Sequence, residues 1–195
     1  MSALRRTVVA SRLGTLTLVA SDAGLCGLHF DPERWPAAQG APVAATSVAP
    51  DDDVVLGLAV DELERYLDGE LTTFSVPIDL AGATGFARDV LEVLCDVAYG
   101  SVTTYGALAT ELGQPTAARA VGGACNRNPI PIVVPCHRVI AADGSLGGYA
   151  LGTEAKRTLL GIERGVAVPP GGWEPAALKR ATVSYVPDED ALTLF

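Results

Sequence analysis

Three segments near the start of the chain alternate apolar and polar side chains with the period of two that half-buried strands show. They are Arg6–Ala10, Thr15–Ala20 and Leu25–Phe30, and turn-forming residues separate them at Leu13-Gly14 and Ser21-Asp22-Ala23-Gly24. Short turns between successive strands favour antiparallel pairing. The pattern therefore predicts a three-stranded antiparallel meander.

The pattern changes after the third strand. From Asp31 to Asp53 the chain is rich in Pro, Ala, Ser and Asp, which predicts a loop or a mobile insertion. Between Asp53 and Gly69 apolar residues recur at helical spacing behind a run of aspartates, which suits a helix N-terminus. These apolar positions include Val55, Leu58, Leu63 and Leu67. Thr72–Leu80 is a further strand candidate.

Helical patterns dominate the next part of the chain. Thr84 is placed to cap a helix over Phe86–Val97, and Thr103 or Thr104 to cap one over Tyr105–Leu112. Gly113-Gln114-Pro115 ends the latter, and a further helix is predicted over Thr116–Arg127. Two short helices joined by a glycine-containing turn have the outline of a helix-turn-helix. Because alanine-rich helix pairs are also common in ordinary cores, this outline alone leaves DNA binding open.

The segment that follows carries the chemistry. A β-branched run, Ile130–Val134, leads into Pro135-Cys136-His137-Arg138, and Asp143-Gly144 makes a turn. The last clear helix begins at Thr153 and ends near Glu163-Arg164-Gly165. From residue 166 to 195 the chain has a Pro- and Gly-containing linker and no strong periodicity, so we expect this tail to be mostly disordered.

Composition narrows the class of protein. The chain has 195 residues, of which 49% are hydrophobic, and its apolar runs are interrupted well before the length of a membrane span. No signal-peptide pattern follows Met1, so we expect a cytoplasmic protein. The net charge of −9 argues against a nucleic-acid partner, but residues 97–165 carry +2 and the remainder −11. That asymmetry permits one face to bind DNA.

The four cysteines, Cys26, Cys95, Cys125 and Cys136, show no CxxC pair and no disulfide-like spacing. Cys26 and His29 are near each other in sequence, but in an alternating strand they would point to opposite faces. We therefore expect no metal site.

Cys136 is the strongest candidate nucleophile. A cysteine reacts as the thiolate, so its pKa must be lowered or a base must take its proton. The adjacent His137 would point away from the sulfur in a regular strand and would reach it if the chain bends or a water bridges the two. From local spacing alone, a packed Cys-His pair remains the alternative.

A long segment resembles a known family. Arg119–Ala124 (Arg-Ala-Val-Gly-Gly-Ala) and Asn128–Ile140 (Asn-Pro-Ile-Pro-Ile-Val-Val-Pro-Cys-His-Arg-Val-Ile) are similar to the active-site region of O6-alkylguanine-DNA alkyltransferases. The resemblance is strong over residues 84–165, and the N-terminal part matches in its layout. It continues at Tyr99-Gly100, Tyr105, Gly144, Gly147-Gly148-Tyr149, Lys156, Leu159-Leu160 and Glu163.

The resemblance implies a fold and an activity. The fold would be α/β (α+β): an N-terminal RNase H-like domain with a three-stranded sheet and a helix over residues 1–82, a winged-helix-like C-terminal helical domain over 83–165, and a flexible tail over 166–195. The activity would be direct-reversal DNA repair, with one alkyl group moved from O6 of guanine, or O4 of thymine, to Cys136. The protein would be a monomer, need no cofactor and be consumed in one turnover.

The same resemblance implies residue roles. Cys136 would accept the alkyl group, His137 would take the thiol proton through a water, and Glu163 would orient the imidazole. Asn128 would be the hinge between the recognition helix and the active-site segment. Tyr105 would press on the target phosphate and help to protonate the leaving guanine.

Other residues would bind DNA or the flipped base. Arg119 would enter the minor groove and fill the gap left by the extruded nucleotide. The remaining DNA contacts implied are Ala120, Gly122 and Arg138. The base pocket implied is Pro131, Val139, Tyr149, Ala150 and Leu151. Here the sequence departs from family members with Ser-Gly-Gly after the tyrosine, and Leu151 is expected to add bulk over the pocket.

Three alternatives have different chemistry. A thiol hydrolase or thiol redox protein would also use Cys136, but no oxyanion motif and no nearby partner cysteine accompany it. A zinc deaminase would need a CxxC motif that the chain lacks. A non-catalytic alkylation-damage sensor would lack the nucleophile. Separately, Ala191-Leu192-Thr193-Leu194-Phe195 is similar to peptides that dock bacterial repair proteins on the sliding clamp, apart from the missing glutamine.

Overall fold

The computed structural model of the chain describes residues 3–30, 45–149 and 151–165. At the N-terminus, three strands form the expected meander: β1 (Arg5–Ser11), β2 (Gly14–Ala20) and β3 (Leu25–Phe30). β1 pairs antiparallel with β2, and β2 with β3. The alternating pattern places Leu16 and Leu18 of β2 on the buried face.

A short fourth strand, β4 (Thr46–Ser47), extends the sheet on the other side of β1. It runs parallel to β1, with Arg5 opposite Thr46, so the order among the described residues is β3-β2-β1-β4. No strand is predicted here from the sequence pattern, because a two-residue strand carries no periodicity. Residues 31–44, the larger part of the predicted insertion, lie outside the described residues.

Helix α1 (Val54–Leu67) packs across the sheet. Asp53 caps it by accepting hydrogen bonds from the backbone nitrogens of Val55 and Leu56, both at 3.0 Å, and also binds the side chain of Arg5. The buried face consists of Leu56, Ala59, Glu62, Leu63, Tyr66 and Leu67. It is rotated from the expected one, since Val55 and Leu58 are half-buried at its border.

The predicted strand over Thr72–Leu80 forms only in part. Ile78 makes an isolated parallel bridge with Leu25, and the Leu25 nitrogen donates to the Pro77 carbonyl at 2.8 Å. Gly24 makes this approach possible, because a Cβ there would lie 2.5 Å from that carbonyl oxygen. The rest of the segment forms a loop, because Glu62 accepts hydrogen bonds from the nitrogens of Ser75 and Val76 and Pro77 has no backbone N–H to donate.

The C-terminal domain is mainly helical. It contains α2 (Phe86–Leu94), β5 (Thr103–Thr104), α3 (Tyr105–Glu111), α4 (Ala118–Asn126), β6 (Val139–Ile140) and α5 (Thr153–Glu163). Thr104 caps α3 as expected, but Thr84 does not cap α2, whose N-cap is Gly85. β5, which directly precedes α3, pairs in parallel with β6, which follows α4 in the chain, so a small two-stranded element connects the two ends of the helix pair.

Buried side chains of both domains form one continuous apolar cluster. A direct backbone bond joins them as well, because the Leu28 nitrogen of β3 donates to the Pro129 carbonyl at 2.9 Å. The N-terminal sheet therefore supports the segment that leads to Cys136. In the described ranges, no helix is long and apolar enough to cross a bilayer.

Candidate active site

The segment from Asn128 to Cys136 is a tightly bonded loop. The Asn128 side chain accepts from the Ile130 nitrogen at 3.0 Å and donates to the Val134 carbonyl at 2.7 Å. Inside the loop, Ile132 has a φ of +78°, a left-handed conformation that costs a β-branched residue about 1–3 kcal/mol. The surrounding bonds hold this strain in place just before the nucleophile.

Cys136 lies in a one-turn 3-10 helix, Cys136–Arg138, rather than in a strand. The bend that the sequence left open therefore exists, and neighbouring side chains no longer point to opposite faces. Asn128 Nδ2 donates to the Cys136 sulfur at 3.1 Å. The expected hinge residue thus also touches the nucleophile.

Four side chains form a buried polar cluster, and two of them, His137 and Arg138, directly follow Cys136 in the chain. His137 Nε2 lies 2.8 Å from Glu163 Oε1, and the imidazole is fully buried. Arg138 donates to both oxygens of Glu163 from Nε and to Oε1 from a terminal nitrogen at 2.9 Å. Tyr66 of α1 donates to the same Oε1 at 2.6 Å. The Gly100 nitrogen binds Oε2 at 3.1 Å, so the carboxylate is fully engaged.

Burial and charge set the protonation states in this cluster. Burial alone would raise the pKa of Glu163, but the bonds from His137, Arg138 and Tyr66 lower it to about 2. Burial lowers the pKa of His137, and the attraction of Glu163 opposes this only in part. Near neutral pH the cluster therefore holds a carboxylate and a neutral imidazole.

The tautomer of His137 follows from these states. An ionised Glu163 can only accept, so Nε2 of His137 must carry the proton that binds it. Nδ1 then has a free lone pair, and it has no hydrogen-bond partner among the described residues. A buried nitrogen without a partner fits a bridging water, and its lone pair makes it the base atom of the site.

The Cys136 thiol is protonated at rest. Burial raises its pKa, while the Asn128 amide and the charge of Lys156 oppose the shift. The fully buried Lys156 donates to the carbonyls of Val139 and Leu146, both at 2.5 Å. Burial lowers the pKa of Lys156 to about 8. Because the thiol holds its proton, a reaction at sulfur requires a base, and the Nδ1 lone pair of the adjacent His137 is available for this role.

A cavity of about 690 Å³ opens in front of the Cys136 sulfur. Its size and partly apolar walls suit one planar base. Helices α3 and α4 form one side, and the loop from 141 to 149 forms the other. The residues that line it with Cys136 are Tyr105, Gly106, Ala118, Arg119, Gly122, Cys125, Asn126, Ala141, Ala142, Gly148 and Tyr149.

Two tyrosines border this cavity. The Tyr105 hydroxyl donates to the Gly148 carbonyl at 3.2 Å, and its ring passes between Gly122 and Gly147, where a Cβ would lie 3.8 and 3.4 Å away. Burial raises the pKa of Tyr105 to about 12, so its hydroxyl is a proton donor at neutral pH. Burial raises the pKa of the Tyr149 hydroxyl well above its ordinary value, and the neighbouring Cys136 thiol adds to this shift.

The structure brings together most of the site residues expected from sequence. Asn128 contacts Cys136, His137 contacts Glu163, and Tyr105 and Tyr149 line the cavity. Arg119 is exposed on α4 at the cavity rim, Ala120 is exposed on the same helix, and Gly122 lies against Tyr105.

Four expected residues are placed elsewhere. Arg138, expected to contact DNA, is 6% exposed and fully used by Glu163 and the Val97 carbonyl, so it is an interior ion-pair partner. Pro131, Val139 and Leu151 are buried and do not line the cavity; Leu151 belongs to the main core. These three therefore support the pocket from behind. Ala150 lies outside the described residues.

Two residues of the site had no assigned role from sequence. Tyr66 comes from the N-terminal domain and looks like an ordinary helix core position. Cys125 is 8% exposed and lines the cavity beside Cys136. Cys125 lies four residues after Val121, on the buried side of α4, and this helical spacing is the sequence signal that could have indicated its burial. No group of three potential metal ligands occurs in the part of the chain that the structure describes.

Known proteins share this arrangement. The family profile described as "6-O-methylguanine DNA methyltransferase, DNA binding domain" matches residues 85–165, and that of the "ribonuclease-like domain" of the same family matches residues 4–80. A methylated-DNA–protein-cysteine methyltransferase of Mycobacterium bovis is 42% identical over 156 residues, which are 80% of this chain and 90% of the relative. The chain therefore belongs to the 6-O-methylguanine DNA methyltransferase family.

Solved structures agree with this assignment. The crystal structure of Mycobacterium tuberculosis OGT in complex with DNA matches with a TM-score of 0.74 and 39% identity, covering 84% of this chain and 94% of that one. The O6-methylguanine-DNA methyltransferase of the archaeon Pyrococcus kodakaraensis matches with a TM-score of 0.61 and 33% identity, covering 81% and 98%. The α/β fold with an N-terminal ribonuclease-like domain is thus confirmed.

Proposed function

We propose that this chain is a methylated-DNA–protein-cysteine methyltransferase, which repairs O6-methylguanine in double-stranded DNA by taking the methyl group onto Cys136. The observation that carries the proposal is that Cys136 lines a base-sized cavity and is followed directly in the chain by His137, whose imidazole is paired with the buried Glu163. The family relationship supports the same activity.

The transfer is a displacement at carbon. His137 Nδ1, through a water, takes the thiol proton, and Glu163 stabilises the imidazolium that forms. The sulfur attacks the methyl carbon, the bond from that carbon to O6 breaks, and its electron pair returns to the guanine. The Tyr105 hydroxyl keeps its proton at neutral pH and donates a hydrogen bond to the leaving base, which takes up a proton from solvent. The thioether product is stable, so each molecule acts once.

The base must leave the stack before sulfur can reach it. We propose that α4 contacts the duplex, with the exposed Arg119 filling the gap left by the flipped nucleotide. Ala120 and Gly122 are small, which lets the helix approach the backbone closely. The division into a ribonuclease-like domain (1–82), a transfer domain (83–165) and a tail (166–195) belongs to the same proposal.

Intact mass spectrometry tests the activity directly. Protein mixed with a duplex that contains one O6-methylguanine is expected to gain one methyl group in place of a proton, saturating at one per molecule. Peptide mapping is expected to place it on Cys136, and Cys136→Ser is expected to gain nothing. Tight lesion binding without mass gain would indicate a damage sensor instead, and failure to bind would refute both.

Two finer features are also proposed. The Ala191–Phe195 segment lies outside the described residues, and its sequence alone supports docking in an apolar groove of the sliding clamp. Deleting Leu192–Phe195 is expected to abolish clamp binding; unchanged affinity would refute it. We also propose a cytoplasmic monomer, because the substrate is chromosomal DNA, and sedimentation of the protein from fractionated cells tests both points.

A further inference from the structure

One side chain of the N-terminal domain reaches the reacting groups of the C-terminal domain. The Tyr66 hydroxyl donates to Glu163 Oε1 at 2.6 Å and lies 3.2 Å from His137 Nε2. Tyr66 is fully buried, and it comes from the last turn of α1. Oε1 of Glu163 therefore accepts hydrogen bonds from both His137 and Tyr66.

The packing around Tyr66 fixes its ring. Tyr99 stacks edge-on against it with centroids 6.0 Å apart, and Phe74 lies 5.2 Å away on another side. Phe74 is itself held in place, because Glu62, one turn before Tyr66, accepts hydrogen bonds from the nitrogens of Ser75 and Val76. A rigid ring holds its hydroxyl in one position without further loss of entropy.

Packing at the end of a helix does not by itself require a buried acid such as Glu62 or two aromatic rings, Phe74 and Tyr99, around Tyr66. A phenylalanine at position 66 would fill the same apolar space without burying a hydroxyl, which costs free energy unless it is hydrogen-bonded. The hydroxyl is bonded, and its partner is the carboxylate that orients the base. What the tyrosine adds to this arrangement over a phenylalanine is therefore the hydrogen bond to Glu163.

We infer that Tyr66 is a positioning residue of the alkyl transfer, supplied by the ribonuclease-like domain to hold the Glu163-His137 pair in the geometry that proton transfer needs. The inference rests on the proposed function. It gives the N-terminal domain a part in the chemistry, in addition to its structural support of the active-site loop.

The bonding pattern explains how Tyr66 acts. Its proton is committed to Glu163, so its oxygen faces the Nε2 proton of His137 and fixes the plane of the imidazole. The bond also takes up part of the negative charge on Oε1. Without it, more of that charge would act on the imidazole, and the apparent pKa of the base would rise while its orientation loosened.

Tyr66→Phe is the test, because it removes the hydroxyl and keeps the ring. We expect the single-turnover rate of methyl transfer to fall about tenfold, the effect of losing one hydrogen bond to a charged group. We also expect the acid limb of the pH–rate profile to move to higher pH. Affinity for the O6-methylguanine duplex is expected to remain unchanged, because Tyr66 is fully buried and cannot contact DNA.

Tyr99→Phe is a matched control. It removes a hydroxyl from the neighbouring ring, and that hydroxyl binds the Ile162 carbonyl at 3.4 Å rather than the cluster. Its pH profile is expected to match that of the unmodified protein. If Tyr66→Phe and Tyr99→Phe have the same rate and profile, or if Tyr66→Phe lowers the rate only in proportion to its folded fraction, the inference is wrong.

A second readout does not depend on DNA repair. The reaction of Cys136 with iodoacetamide, followed on its own peptide as a function of pH without DNA, also reports on the His137 base. A shifted profile in Tyr66→Phe would support the positioning role even if the unmodified protein took no methyl group. Unchanged iodoacetamide and transfer profiles would overturn it. Failure of the proposed function and failure of this inference are thus separable.

Discussion

Asn128 donates from one side-chain nitrogen both to the Cys136 sulfur at 3.1 Å and to the Val134 carbonyl at 2.7 Å. The same residue accepts from the Ile130 nitrogen through its oxygen. It therefore combines two tasks: it closes the loop that contains the strained Ile132, and it stabilises negative charge on the sulfur. A residue expected to be a hinge is thereby part of the nucleophile's environment.

Two substitutions at Asn128 separate these tasks. Asn128→Asp keeps the acceptor for Ile130 but replaces the donor with a negative charge, so the pKa of Cys136 is expected to rise further. Asn128→Ala removes both groups. We expect methyl transfer to slow about tenfold in Asn128→Ala, for the loss of a bond worth about 1–2 kcal/mol, and more in Asn128→Asp. Single-turnover mass spectrometry measures both, and a normal rate in Asn128→Asp would contradict the role at sulfur.

Arg138 is expected to matter for folding rather than for DNA affinity. Its guanidinium is buried against Glu163, and Arg138→Met would leave that carboxylate with less compensation at a cost of about 3–5 kcal/mol. Urea unfolding measures the loss. Affinity of the folded variant for undamaged duplex is expected to stay within about twofold, since the side chain does not reach the surface.

The matched comparison is Arg119→Ala. Arg119 is exposed on α4, so its removal is expected to leave the free energy of unfolding unchanged and to weaken DNA binding, with a smaller dependence on salt. The reverse result, in which Arg138→Met folds normally and loses DNA affinity, would restore the role that sequence alone suggested for Arg138.

These two arginines show what sequence could and could not predict. The segment Asn128-to-Ile140 placed the nucleophile and its base because both lie within one local stretch. Arg138 follows them directly, and nothing in a linear sequence distinguishes a cation that faces DNA from one folded inward onto Glu163. The 3-10 turn at Cys136–Arg138 directs the Arg138 side chain into the interior, and the β-branched run before it did not predict this turn.

Long-range contacts were the other limit. Tyr66 lies 71 positions before His137, and its pattern was that of any core residue on an amphipathic helix. Similarly, β4 is held by pairing with β1 rather than by its own propensity. The meander, α1, α3 and α5 were predictable because each has a strong local period and a capping or turn signal.

Acid is expected to destabilise the fold through the buried cluster. Glu163 has a folded pKa of about 2 against an ordinary value of 4.5, so its stabilisation is complete above about pH 4.5 and is lost as the pH falls toward 2. His137, whose pKa burial lowers from 6.5, adds stability that is lost as the pH falls below that value. Glu163 alone contributes about 3 kcal/mol to this dependence.

Urea unfolding over a range of acidic pH values tests this dependence. Glu163→Gln cannot ionise, so it is expected to be less stable than the parent at neutral pH and to lose less stability on acidification below pH 4.5. Asp53 and Asp79 also have lowered pKa values, so the free energy of unfolding of Glu163→Gln is still expected to fall to some extent with acid. Parallel curves for the parent and Glu163→Gln would show that the carboxylate is not held ionised by the cluster.

Leu151 is expected to affect stability and not the choice of adduct. It is 7% exposed and packs in the main core behind the cavity. Leu151→Ala is therefore expected to cost about 2–5 kcal/mol of unfolding free energy. The ratio of transfer rates for benzyl and methyl adducts is expected to remain that of the parent. Competition between O6-benzylguanine and O6-methylguanine duplexes, read by intact mass, measures this ratio.

Cys125→Ala is the matched variant for Leu151→Ala, because it changes a residue that lines the cavity instead of one in the core behind it. Cys125 lines the cavity beside Cys136, so shortening its side chain enlarges the space that a bulky adduct would occupy. We expect this variant to raise the relative rate for the benzyl adduct, with a smaller loss of stability than Leu151→Ala because fewer buried atoms are removed. If Leu151→Ala raises the relative benzyl rate more than Cys125→Ala does, position 151 controls access to the pocket. The prediction that Leu151 affects only stability would then be wrong.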